Sequence, residues 1–264
     1  MVNPDFSALA IQCAPILRAS GETIFNAWGH QHTIHKKGER DFATEVDREV
    51  EEVLRKQLHS LLPEAGFIVE EGKSEKKERY NWVIDPLDGT SKYIHHVPLF
   101  YTQIALLREM RPVLGLIYQP VSKQLFSAVR GKGTLLNDKP VYIAESPQLG
   151  NSVIDIDFGK HDAYFEDKIA CAALLFRSAL KTRMSRGALS PYLTTGLIDA
   201  YVCVWEDTHP HDIYPRMIVL EEAGATLQRI RFRHIALLIA AKQHLGEAII
   251  AALKKQSGGI SLAH

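Results

Sequence analysis

The segment Trp82-Val83-Ile84-Asp85-Pro86-Leu87-Asp88-Gly89-Thr90 runs an apolar stretch straight into two carboxylates. A strand that ends at Asp85 and turns at Pro86 can present Asp85, Asp88 and the backbone carbonyl of Leu87 to one cavity. Hard oxygen donors of this kind suit Mg²⁺, which asks for near-octahedral geometry at about 2.0–2.1 Å. Gly89 lets the backbone come close to an anion. The N–H groups of Gly89, Thr90 and Ser91, opening a helix, can cradle a phosphate. The same string also describes a Pro-Asp-Gly turn with an aspartate cap, so these residues alone leave both readings open.

Further acids lie where they could join that pair. Glu70, in Val69-Glu70-Glu71-Gly72, ends another short apolar run. Asp47 falls in the first turn of a helix, and His211-Asp212 opens a helix that ends in Glu221-Glu222-Ala223-Gly224. Taken singly, Glu70 reads equally as a solvated strand end, and Asp47 and Asp212 as acids favoured by a helix dipole. The alternating histidines His30, His32 and His35, the pair His209 and His211, and adjacent His95-His96 invite a zinc reading. Oxygen donors already account for the site, so zinc is not required. Arg229, Arg231 and Arg233 alternate along a strand pattern and read as a solvated edge.

The elements that must hold these groups follow from pattern. Residues 5–27 read as a helix started by Asp5, with Pro15 expected to kink or interrupt it. The polar stretch 30–43 reads as a loop or edge hairpin. Thr44 then caps a helix whose apolar stripe is Val46, Val50, Val53, Leu54, Leu58 and Leu61. Short apolar runs at 67–69, 82–84, 104–107, 113–118 and 125–129 read as strands joined by turns. Beyond residue 145, strands at 153–158, 200–205 and 235–240 alternate with helices at 162–180, 211–223 and 243–255, an α/β pattern. The expected organisation is an N-terminal α+β subdomain, 1–145, carrying most candidate ligands, and a C-terminal α/β subdomain, 146–264, carrying Asp212.

Lys+Arg and Asp+Glu both total 31 in 264 residues, so no basic footprint for nucleic acid or an anionic membrane exists. An apolar content of 46% with 23% charged residues excludes a disordered or fibrous chain. Cys13, Cys171 and Cys203 do not cluster and fit a reducing compartment. With no basic leader around Asp5 and no apolar run long enough to span a bilayer, the expected location is the cytoplasm.

In their order along the chain, Val69–Gly72, Trp82–Pro98 and His211–Gly224 resemble the motifs of the inositol monophosphatase family, metal-dependent and lithium-sensitive phosphatases. The stretch from Leu114 to Val141 is similar to the family's central sheet. The resemblance implies a layered αβαβα sandwich of the sugar-phosphatase type and, often, a homodimer. It implies Mg²⁺-dependent hydrolysis of a small phosphate monoester, inositol monophosphate first, with no membrane or nucleic-acid partner. Glu70, Asp85 and the Leu87 carbonyl would hold one ion, and Asp85, Asp88 and Asp212 a second, with a third and weaker ion near Glu70. The implied catalytic set is Asp47, Glu70 and Thr90, with Thr90 bonded to Asp47 and orienting the attacking water. Gly89, Thr90, Asp88, Asp212 and Glu206 would contact substrate. Lys36 resembles a family lysine near the metals and reads nearly as well as a solvated loop residue. The departures are His211 in place of a tryptophan, Ile213-Tyr214-Pro215 in place of small residues, and Thr90-Ser91-Lys92-Tyr93. They cluster where the family selects its substrate. They keep a nucleotide 3′-phosphatase, a fructose-1,6-bisphosphatase and a low-turnover binding or regulatory relative as alternatives.

Overall fold

The computed structural model describes residues 4–30, 34–38, 41–159, 163–257 and 260–262; His32 lies outside them, and the side chains of His35 and Lys36 are not described. In chain order the elements are α1 (Phe6–Ala27), β1 (Ile34–Gly38), β2 (Asp41–Thr44), α2 (Glu45–Leu61), β3 (Gly66–Val69), β4 (Tyr80–Asp88) and α3 (Thr90–Ile94). There follow β5 (Tyr101–Arg108), β6 (Arg111–Gln119), β7 (Gln124–Val129), β8 (Gly133–Leu136), β9 (Lys139–Val141), β10 (Val153–Asp157), α4 (Phe165–Ser178) and β11 (Lys181–Arg183). The last are β12 (Ala200–Val204), α5 (Pro210–Glu222), β13 (Thr226–Phe232), β14 (Ile235–Ala241), α6 (Gln243–Ser257) and β15 (Ile260–Leu262).

These elements divide into two compact units. One comprises Met1–Pro140 with His209–Glu222, the other Val141–Thr208 with Ala223–His264. A single cut at residue 145 would have placed Asp212 in the second unit. Instead α5 belongs to the first, because it packs on the first unit's sheet. Gly115 of β6 shows how closely: a Cβ there would lie 2.4 Å from Ile218 Cγ2 and 3.1 Å from the Pro215 carbonyl oxygen.

In the first unit a seven-stranded sheet has the order β3-β4-β5-β6-β7-β8-β9 among the described residues. Only β3 and β4 run parallel among the paired registers; β4 to β8 form an antiparallel meander. Alternate side chains of these strands serve opposite faces. Trp82, Ile84, Ile104, Leu106, Leu116 and Tyr118 pack under α1 and α2, while Val83, Ala105 and Leu107 join Ile68 and Tyr214 on the other side. Asp5 caps α1 through the N–H groups of Ser7 and Ala8. Pro15 does not interrupt α1. It deprives the Ile11 carbonyl of a donor, but Ile11 is 74% exposed, so water can serve instead. Val53, expected on the buried stripe of α2, is 44% exposed. The polar stretch after α1 is the antiparallel hairpin β1–β2.

The second unit holds a six-stranded mixed sheet, β11-β10-β12-β14-β13-β15. Its core joins Ile154, Ile156, Val202, Leu237 and Ile239 to Cys171 and Leu175 of α4 and Leu245, Ile249 and Leu253 of α6. Among the described residues β15 pairs only with Ile230–Phe232 of β13, so Arg231 is not on an edge while Arg229 lies before the paired stretch, and both are exposed as expected. Arg229 lies over the Trp205 ring at 4.8 Å, and Arg233, in the following turn, pairs with Asp167. No helix among the described residues is long and apolar enough to cross a membrane.

Candidate active site

Two carboxylates three positions apart on a regular strand would point to opposite faces. A bulge in β4 prevents this: Asp85 pairs with Gln103 and Asp88 with Tyr101, so three steps on β4 match two on β5. Pro86, which has no N–H to give a ladder, sits inside the bulge, where it is tolerated. Gly89 then takes φ +90°, a left-handed conformation suited to glycine, with the Leu99 carbonyl 3.2 Å from where a Cβ would stand. Its place is set by backbone geometry as the cap of the short α3.

Asp212 comes from the first turn of α5. The far end of that helix is fixed by Glu222, which accepts from the N–H groups of Gly131 and Gly133 at 3.0 Å each, and by Thr134 Oγ1, which donates to the Val219 carbonyl at 2.7 Å. The result brings single oxygen atoms of Asp85, Asp88 and Asp212 within 4.8 Å of one another. Among the described residues this is the one such group of acids, histidines or cysteines, and no histidine joins it. The His209 and His211 rings stack at 5.3 Å beside it, with His211 Nε2 3.9 Å from Asp212 Oδ2.

Asp85 is 1% exposed. Gln103 Nε2 donates to its Oδ2 at 2.9 Å, and to the His211 carbonyl at 3.2 Å, which ties β5 to the start of α5. Asp85 Oδ1 is buried with no hydrogen-bond partner. Burial, then the charges of Glu70, Asp88 and Asp212, push the Asp85 carboxyl well above the ordinary range, against the Gln103 hydrogen bond. Asp212 is raised too, first by burial and also by Asp88 and Glu70, although His211 and Arg216 pull it down. Buried carboxylates crowded together with an oxygen left unpartnered are the donor set of a hard cation. The residues present therefore fit a divalent metal ion.

Glu70 lies outside that tight trio, but its charge is felt by both Asp85 and Asp212. The turn after it is held by Glu51 of α2, 5% exposed, whose two oxygens each accept at 2.7 Å, one from Glu71 N–H and one from Gly72 N–H. Asp47, one turn earlier on the same face of α2, is fully buried. Its Oδ2 accepts from Thr44 N–H at 2.8 Å and from Thr44 Oγ1 at 2.5 Å, closing the helix start. Its Oδ1 lies 3.3 Å from Thr90 Oγ1, which also lies 3.0 Å from the Leu87 carbonyl. One hydroxyl proton serves one of these acceptors at a time, and the oxygen's lone pairs remain to accept from a water.

Glu206, expected at the substrate, belongs to the second unit and is otherwise engaged: both its oxygens accept from Ala236 N–H, at 3.0 and 2.9 Å. Glu221 and Glu222 are structural, the former paired with Arg130 at 2.8 Å. Three residues of the site were not foreseen: Glu51, Gln103 and Arg216. Arg216, 3% exposed, pairs with Asp88 Oδ2 at 2.5 Å. The available signal was spacing, since Glu51 follows Asp47, and Arg216 follows Asp212, by one helical turn.

The inositol monophosphatase family model matches residues 8–257. The Nus factor SuhB of Xylella fastidiosa is 31% identical over 216 residues, covering 78% of this chain and 76% of that protein. The fructose-1,6-bisphosphatase/inositol-1-monophosphatase of Thermotoga maritima is 29% identical over 215 residues, covering 79% of this chain and 80% of its own. Among solved structures, the extragenic suppressor protein suhB of Bartonella henselae superposes with a TM-score of 0.84 at 23% identity, over 94% of this chain and 99% of that one, which shows a shared fold. With a family match of this extent, the chain belongs to the inositol monophosphatase family of phosphoric monoester hydrolases.

Proposed function

We propose that the protein hydrolyses a small phosphate monoester, inositol monophosphate first among candidates, in a Mg²⁺-dependent reaction at the Asp85–Asp88–Asp212 cluster. The observation that carries this is the unpartnered, buried Asp85 Oδ1 within a group of three converging carboxylates. Glu70, Asp85 and the Leu87 carbonyl would hold one ion and Asp85, Asp88 and Asp212 another, with a third, weaker ion near Glu70. Bound there, divalent ions neutralise the phosphate and make a water acidic enough to attack near neutral pH. The chain's own contribution is position. Asp47, locked by Thr44, holds the Thr90 hydroxyl, and that hydroxyl accepts from the attacking water and fixes its direction. Gly89 with Thr90, Asp88, Asp212 and Glu206 is the proposed substrate set. Glu206 would have to exchange its bond to Ala236 for a substrate hydroxyl. A cytoplasmic homodimer inhibited by Li⁺ completes the reading.

The bifunctional name of the Thermotoga relative keeps fructose 1,6-bisphosphate as the second substrate to try, and nucleotide 3′-phosphates are the third. The name of the Xylella relative favours, as a second reading, a regulatory protein of low turnover. Phosphate release from these esters with and without Mg²⁺ separates them. Turnover of inositol monophosphate fastest and only with Mg²⁺ is expected. No release from any ester would leave the regulatory reading.

A further inference from the structure

Arg216 is a buried cation built into a cluster that otherwise attracts cations. Its side chain is 3% exposed, Asp88 is 12% exposed, and the pair is joined at 2.5 Å. Arg216 shares α5 with Asp212, and that helix is pinned by Glu222, Thr134 and the close approach at Gly115, so the guanidinium is delivered by a fixed scaffold. An arginine does not lose its proton in a protein, so this charge is permanent. It takes up an oxygen of Asp88, one of the three acids whose ligand atoms converge.

We propose that Arg216 is a resident counter-cation of the acidic cluster: it weakens divalent-ion binding on the Asp88 side, so that an ion using Asp88 binds in competition with it. The inference rests on the metal-dependent reading above. Without Arg216, Asp88 loses the buried guanidinium paired with it, while Asp85 and Asp212 still converge on the same point. An ordinary orienting role for Arg216 makes the opposite prediction, since a loosened Asp88 would bind metal less well. The sign of the change therefore decides between them.

The test is Mn²⁺ binding to the metal-free protein, followed by electron paramagnetic resonance of the free ion, with thermal melting alongside. In R216M and R216Q the weakest Mn²⁺ class resolved in the wild type tightens about tenfold or more, the equivalent of 1.4 kcal/mol per factor of ten. R216K, which keeps the charge, stays within about threefold of the wild type. The metal-free R216M protein melts below the wild type and gains more from Mn²⁺. Should R216M fail to fold, R216Q against R216K carries the comparison. Unchanged or weaker binding in both uncharged variants overturns the counter-cation role while leaving the metal site intact. A wild type that binds no Mn²⁺ overturns the metal-dependent reading and this inference together.

Discussion

Asp85 and Asp155 are both strand aspartates with almost no exposure, at 1% and 0%. Asp155, in the second unit, accepts from Ser185 N–H at 3.0 Å and from Ser185 Oγ at 2.5 Å. Nearby in sequence, Asp167 accepts from His234 N–H at 3.2 Å, meets His234 Nδ1 at 2.8 Å and has Arg233 Nη1 at 3.4 Å. Burial would raise the Asp167 carboxyl, but these hydrogen bonds from His234 and Arg233 outweigh it and hold the group below the ordinary value. Asp85 is surrounded by acids instead, and one oxygen has nothing to bond. Burial alone therefore says little about an aspartate. Where donors converge on it, the group stabilises the fold, and where other acids converge, it is a site awaiting a cation.

The largest effect expected from this contrast is at Asp85. Asp85→Asn should abolish phosphate release, by about 10³-fold or more at saturating Mg²⁺. It should also raise the melting temperature of the metal-free protein, because it removes a charge from a repelling group and Gln103 can still donate to the amide oxygen. Near-wild-type turnover, or a lower melting point, would break the comparison at its first term.

Thr90→Ala should lower kcat by about 10²-fold and weaken substrate binding far less, as loss of an interaction made mainly in the transition state does. A rise in KM at constant kcat would make Thr90 a binding residue. Glu51→Gln puts an amide where two N–H donors point. It should weaken metal activation about tenfold, the scale of outer-shell support around a metal ligand. Titration of activity with Mg²⁺ measures it, and an unchanged activation constant would detach Glu51 from the Glu70 turn.

The smallest effect is at Asp167, where the sign opposes that at Asp85. A carboxylate whose folded pKa is depressed stabilises the fold above its unfolded pKa of about 3.9. That contribution is lost as pH falls through the lower, folded pKa. Asp167→Asn should thus cost about 1 kcal/mol at pH 7 and progressively less below about pH 4. Chemical denaturation across that range would show it, and a penalty independent of pH would mean that shape, not charge, matters there.

Local signals made much of this legible from the chain alone. Asp5 and Thr44 marked true helix starts, and the apolar runs around Trp82, Ile104 and Leu116 were strands of one sheet. The short strands β8, β9 and β11 went unread, because three or four partly exposed residues carry no periodicity. The bond from Gln103 to Asp85 spans 18 positions and the pair Arg216–Asp88 spans 128. No spacing rule reaches that far, and the assignment of α5 to the first unit follows from the same kind of distant packing.

That discontinuity also orders events during synthesis. The first unit's contiguous part ends at Pro140, yet its last helix begins only after residue 208. A nascent chain emerging from the ribosome can therefore build the seven-stranded sheet, with Asp85 and Asp88 in place, long before Asp212 and Arg216 exist. Until α5 is made, the face over Gly115 has no cover and Asp88 has no arginine. The intervening 68 residues of the second unit, Val141–Thr208, must be translated first. The acidic cluster is thus among the last parts of the first unit to be completed.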